Sequence, residues 1–113
     1  MAYDEDLAHR IRELIAAEPG VTEKKMFGGL AFLIGGNMAV AASGKGGLMV
    51  RVDPEQTDAL VAKSHAAPFE MRGKPMQGWL RVAEQGVRTK RQLEPWVNRG
   101  VAYARSLPPK AAN

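Results

Sequence analysis

The chain has 113 residues, a net charge of +4 from 16 Lys/Arg and 12 Asp/Glu, and no cysteine. This length fits one domain over 1–113, and the absence of cysteine excludes disulfides and thiolate chemistry. An acidic start, Asp4-Glu5-Asp6, and no apolar run near the roughly 20 residues a bilayer requires point to a soluble cytoplasmic protein with no membrane association.

Leu7, Ile11, Leu14 and Ile15 recur at helical spacing behind Asp4, an N-cap, with Glu5 and Asp6 at the positive end of the helix dipole. Pro19-Gly20 ends this helix. Four short strands follow, over 22–27, 30–34, 37–42 and 47–52. Gly35-Gly36 suits a two-residue hairpin turn and Ser43-Gly44-Lys45-Gly46-Gly47 a longer one, so neighbouring strands should run antiparallel. Gly28-Gly29 reads as a turn, a bulge or a close-packing point.

Asp53-Pro54-Glu55-Gln56 opens a second helix ending near Ser64: Asp53 caps, Pro54 suits the first helical position and Gln56 has capping-box spacing. Strands at 69–71 and 78–83 then flank Arg72-Gly73-Lys74-Pro75-Met76-Gln77, which is expected to be a mobile exposed loop. Thr89, with Gln92 three residues on, starts the last helix, whose apolar stripe is Leu93, Trp96, Val97, Val101, Ala104 and Leu107. Pro95 lacks an N–H, so the regular helix either starts nearer Glu94 or kinks in its first turn. Pro108-Pro109 stops it, leaving 108–113 as a flexible tail. The order of helix, strands, helix, strands, helix gives an α+β domain with an antiparallel sheet packed against helices.

Residue types that carry chemistry all have structural readings. Lys45 sits in a glycine-rich turn that leads into a strand and lacks the spacing of a phosphate loop. His9 and His65 have no metal-ligand spacing, so neither a metal nor a cofactor is expected. Ser43, Ser64 and Ser106 are in no nucleophile-elbow pattern, and Glu23, Glu70 and Glu84 would form a carboxylate site only by tertiary proximity. No catalytic constellation results, and the chain reads as a non-enzyme.

Two interaction readings remain. Met71, Met76 and Trp79 surround the Gly/Pro turn and form an adaptable surface for a protein partner or a second copy, or else seal the sheet against its helices. The alternative is nucleic acid. Residues 1–60 hold six Lys/Arg against nine Asp/Glu, whereas residues 61–113 hold ten against three. Arg72, Lys74, Arg88, Lys90, Arg91 and Arg99 would contact phosphate if one face gathered them, with Trp79 stacking on a base. The same charges would otherwise serve solubility.

Tyr3-Asp4-Glu5-Asp6-Leu7, the run from Val21 to Phe32 with Met26, Phe27, Gly28 and Gly29, and Gly36-Asn37-Met38 together form a spaced pattern. Leu48-Met49-Val50-Arg51, Gly73-Lys74-Pro75-Met76-Gln77-Gly78-Trp79 and the ending from Ala102 to Lys110 continue it. In these segments the chain resembles the N-terminal domain of the TfoX/Sxy competence-regulator family over nearly its whole length. The resemblance implies a secretion-chaperone-like α+β fold and a regulatory role without catalytic residues. Full-length regulators of that family act in bacterial competence gene expression with a transcription activator, and many relatives are standalone N-terminal domains. At 113 residues the chain is expected to correspond to the N-terminal domain alone, without the additional C-terminal domain.

Overall fold

The computed structural model describes residues 4–26, 28–63 and 65–109, without the side chain of Met71. Phe27, Ser64 and Lys110 therefore lie outside the described residues. The fold is α+β: α1 (Glu5–Leu14), four strands β1 (Val21–Met26), β2 (Gly29–Ile34), β3 (Asn37–Ala42) and β4 (Leu48–Arg51), α2 (Thr57–Val61), β5 (Ala66–Met71), β6 (Lys74–Val82) and α3 (Lys90–Ser106). Short 3-10 turns over Pro54–Gln56 and Glu84–Gly86 precede α2 and α3. The strands form one antiparallel sheet in the order β1-β2-β3-β4-β6-β5.

Local chemistry explains the element ends. Asp4 accepts the Leu7 N–H at 3.1 Å and caps α1. Gly35 and Gly36 both take positive φ, 59° and 85°, as a two-residue turn between twisted strands requires. Gly28 occupies the β1–β2 connection. Gly29 instead packs closely: a Cβ there would lie 2.2 Å from the Ala42 carbonyl oxygen.

At α3 the capping box of Thr89 and Gln92 forms. The helix starts at Lys90 and continues through Pro95, so of the two alternatives the later start near Glu94 is not realised. Pro95 is exposed there, so water can take the Arg91 carbonyl that the missing N–H leaves without its helical donor.

Two further expectations are corrected. The second helix is a 3-10 turn and a five-residue helix rather than one element to Ser64. Thr57, buried at this junction, donates its hydroxyl to the Pro54 carbonyl at 2.9 Å and accepts the Gly78 N–H at 2.8 Å. That pair of bonds ties the junction to β6. The stretch 72–77 is not a loop: Arg72-Gly73 alone makes the turn, and Lys74–Gln77 belong to β6. Positive φ at both turn residues, 54° and 79°, gives a tight hairpin, and the adjacent pairs Met71–Lys74 and Glu70–Pro75 continue the ladder.

The sheet's two faces differ. Leu30, Phe32, Val40, Leu48, Val50, Leu80 and Val82 point to the helices and pack with Leu7, Ile11, Leu60, Leu93, Trp96 and Val97 in the main core. β3 gains an extra residue, since Phe32 pairs with Val40 but Leu33 pairs with Met38. The residue so inserted, Ala39, joins Ile34, Ala104, Val21 and Val101 in a cluster at the C-terminal half of α3. Beyond α3, the buried Asn37 side chain donates to the Pro108 carbonyl at 3.0 Å, and Pro109 lies against Gly35. The chain is thus held at 108–109, and the rest of the tail expected over 108–113 lies outside the described residues.

α3 meets β3 at Gly100, where a Cβ would sit 2.4 Å from the Ala39 carbonyl oxygen. Overpacking of this kind costs about 1–3 kcal/mol, against roughly 1 kcal/mol that alanine gains over glycine within a helix. The obstacle is backbone and has no rotamer to relieve it, so Gly100→Ala is expected to lower the urea midpoint, and an unchanged or raised midpoint would contradict this packing. A second expectation concerns acid. Arg12 donates to both Glu23 oxygens at 2.7 and 2.8 Å, which holds the Glu23 carboxyl below its ordinary range. A carboxyl depressed in the folded state stabilises at neutral pH and loses that contribution as pH falls through its folded value. Glu23→Gln should therefore lower the melting temperature at neutral pH, modestly because the pair is partly exposed and screened, and the difference should vanish below the carboxylate range.

Candidate functional site

Strand alternation sends Ala31, Met38, Ala41 and Met49 to the face away from the helices, where Met26, Leu33, Phe69 and Trp79 pack around them. All eight come from strands, one or two from each of the six, so this apolar cluster contains no helical side chain. Its centre is tightly packed, whereas Met26, Leu33, Phe69 and Trp79 are half-buried and present part of their surface outward. By register, Lys24 stands beside Ala31 and Arg81 beside Met49 on this face. Methionine and aromatic side chains at this density make an adaptable apolar surface with a cationic border.

Of the residues singled out as interaction candidates, Trp79 belongs to this cluster. Met76 is half-buried on β6 outside it, and the Met71 side chain lies outside the description. The Arg51 guanidinium reaches the Trp79 ring at 5.1 Å and the Tyr103 ring of α3 at 5.6 Å, joining the end of β4 to the helix. Met26, Gly28, Gly29, Gly36, Asn37, Gly73 and Pro75 lie in the strands and turns that shape the sheet. Leu33, Met38, Met49 and Phe69 are additions that sequence reasoning did not single out. For Leu33 and Met38 the signal was the apolar character of β2 and β3, which marks strands buried on both faces; Met49 of β4 and Phe69 of β5 carried no such signal.

The six cations of the nucleic-acid reading separate into two places. Arg72 and Lys74 are at the β5–β6 hairpin, where Arg72 lines a cleft of about 500 Å³ together with Lys45, Glu70 and Arg81. Arg88, Lys90, Arg91 and Arg99 are at or near the N-terminal half of α3. There Arg91 and Arg99 share a groove with Lys63, His65 and Trp96, and Lys90 faces a separate hollow beside Arg10 and Glu13. Trp96 is buried, with the Arg99 guanidinium stacked 4.7 Å from its ring centroid, so it serves packing rather than base stacking.

The remaining polar groups stay apart. Glu23 pairs with Arg12, Glu70 lines the cleft, and a Glu84 carboxylate oxygen lies against Gly46. His9 is exposed on α1, 3.8 Å from Glu13. Ser43 accepts the Lys45 N–H at 3.1 Å, Ser106 donates to the Tyr103 carbonyl, and Asp53 accepts the Glu55 N–H at 2.9 Å. Among the described residues no group of three or more His, Cys, Asp or Glu could hold a metal ion, and no helix is long and apolar enough to cross a membrane.

No curated protein matches the chain. A family match covers most of it, and it takes in all six strands, α2 and nearly all of α3. Residues 13–104 match the TfoX N-terminal domain, and the chain belongs to that family.

Proposed function

We propose that this chain is a non-catalytic regulatory module of the bacterial cytoplasm that binds a protein partner through the helix-free face of its sheet. Its arrangement is then the secretion-chaperone-like one that family likeness implies. The observation that carries this reading is the strand-only apolar cluster with half-buried Met26, Leu33, Phe69 and Trp79 at its surface. A partly exposed apolar area gains most when a partner removes it from water. Lys24 and Arg81 on the same face select a partner segment that combines apolar side chains with acidic ones. A second copy pairing edge to edge is less favoured. The β1 edge carries Glu23, Lys24 and Lys25, and the β5 edge carries Pro68 and a register break, all of which oppose strand addition.

A photo-crosslinking residue at Leu33 is expected to trap a discrete partner in the producing cell, and one at the exposed Asn98 of α3 is not. Trp79→Ala should weaken the isolated complex by about 2 kcal/mol, roughly 30-fold. Leu33→Asp should weaken it too, with the circular dichroism of each variant unchanged. Equal trapping from Asn98, or undiminished binding by both folded variants, would refute the reading.

The groove at α3 supports a second reading, nucleic-acid contact, because Lys63, Arg91 and Arg99 line it with no carboxylate among the lining residues. If these cations meet phosphates, the chain should bind an oligonucleotide duplex with salt-dependent affinity, and Arg91→Glu should lower the slope against salt by about 1. Binding that is absent at low salt, or indifferent to Arg91→Glu, removes it.

A further inference from the structure

We propose that the cleft between the β5–β6 hairpin and the β3–β4 turn binds a small organic oxyanion, a carboxylate or phosphate monoester that carries an apolar group. This does not rest on the protein-partner reading above. The cleft measures about 500 Å³, within the range of small-molecule sites. It is bounded by parts of the chain far apart in sequence, the turn at Ser43 and Lys45 on one side and the hairpin through Arg72-Gly73 on the other.

Three cations line it against one carboxylate, Glu70. Arg81 is fixed near the end of β6 by pairing on both sides, with Met49 of β4 and Ala67 of β5, and is half-buried. Lys45 and Arg72 project from tight turns. Among the described residues none of these three side chains enters a hydrogen bond, an ion pair or a ring stack. Burial of the Arg81 side chain restricts where its guanidinium can point while leaving the nitrogens accessible and without an anionic partner, and an oxyanion in the cleft gains a charge-assisted, two-point contact with it. Ser43 adds a donor. Its oxygen accepts the Lys45 N–H, which leaves the hydroxyl proton available to a ligand oxygen.

The rest of the lining is apolar and decides the ligand's other half. Met49, Pro68 and Phe69 form that part, and Phe69 is held by the same cluster as Met49 and Trp79. A bare inorganic anion would leave this wall unfilled. A ligand with a ring or short aliphatic group behind its anionic head uses both.

The test is a titration of the full chain, followed by amide proton–nitrogen NMR, with phenyl phosphate and separately with inorganic phosphate. Phenyl phosphate is expected to give saturable shifts confined to 43–49, 67–73 and 81, with inorganic phosphate at least about tenfold weaker. Arg81→Gln should weaken phenyl phosphate about tenfold or more. Lys45→Gln and Arg72→Gly keep the test open if Arg81→Gln disturbs the strand. Both sit in turns, and glycine suits the positive φ at 72, so each should fold and bind at least threefold more weakly. Lys90→Gln should leave binding unchanged. Absent or unsaturable shifts, shifts spread over α3, equal affinity for the two phosphates, or full affinity in the folded turn variants would overturn the proposal.

Discussion

Helix α3 lies where it does because Gly100 presents no side chain to the Ala39 carbonyl, and much of the domain is arranged around that approach. The extra residue in β3 turns both Ala39 and Val40 toward the helix, so the strand offers a small side chain beside a branched one. Gly100 settles on the first and Val97 packs into the core shared with the second. A larger residue at either position would lift the helix and open the space filled by Trp96 and Leu93. The contact between helix and central strand therefore sets the thickness of the main core, and through it the curvature available to the sheet.

That same bulge has a consequence on the other face. Met38 returns to the side away from the helices one residue earlier than an unbroken ladder would allow, bringing it opposite Leu33 and next to the Ala31, Ala41 and Met49 group. The helix-free face is thus built from small residues at the middle and long, flexible ones around them. Alanines let the methionines lie down across the sheet, which explains why Met38 and Met49 are buried without a covering helix. The surface left outward belongs to side chains that can re-pack against differing shapes. The architecture separates a rigid helical side from a face that tolerates change.

Much of this was legible in the sequence, and the exceptions have physical causes. Caps and turns are local, so Asp4, Asp53, Thr89 with Gln92 and Gly35-Gly36 identified their elements directly. The stretch 72–77 misled because Gly73 and Pro75 resemble loop punctuation, yet Pro75 lies in a hairpin ladder that ends within two residues. Proline is tolerated there, beside a turn and next to the edge strand β5. Thr57, at the junction of the 3-10 turn and the second helix, is tied to Gly78, 21 residues on, by a bond which no local pattern records. The apolar runs of β2 and β3 are buried on both faces, but periodicity is silent on whether a helix or only neighbouring side chains provides that cover. The cleft was invisible for the same reason: Lys45, Arg72 and Arg81 are brought together by the β4–β6 pairing and the return of the hairpin.

The charge asymmetry along the chain also changes meaning once the chain is folded. Cations and carboxylates from opposite halves partly cancel where α3 meets the α1–β1 connection, since Arg105 donates to Glu18 and to the Pro19 carbonyl. Arg99 is held on Trp96. What remains is not one basic face but two concentrations, at the hairpin cleft and at the α3 groove. A long polyanion would gain from a continuous band of cations, and this distribution does not supply one. Two separate concentrations favour compact anionic groups met one at a time, and the one with apolar walls and a fixed arginine has the means to distinguish among them.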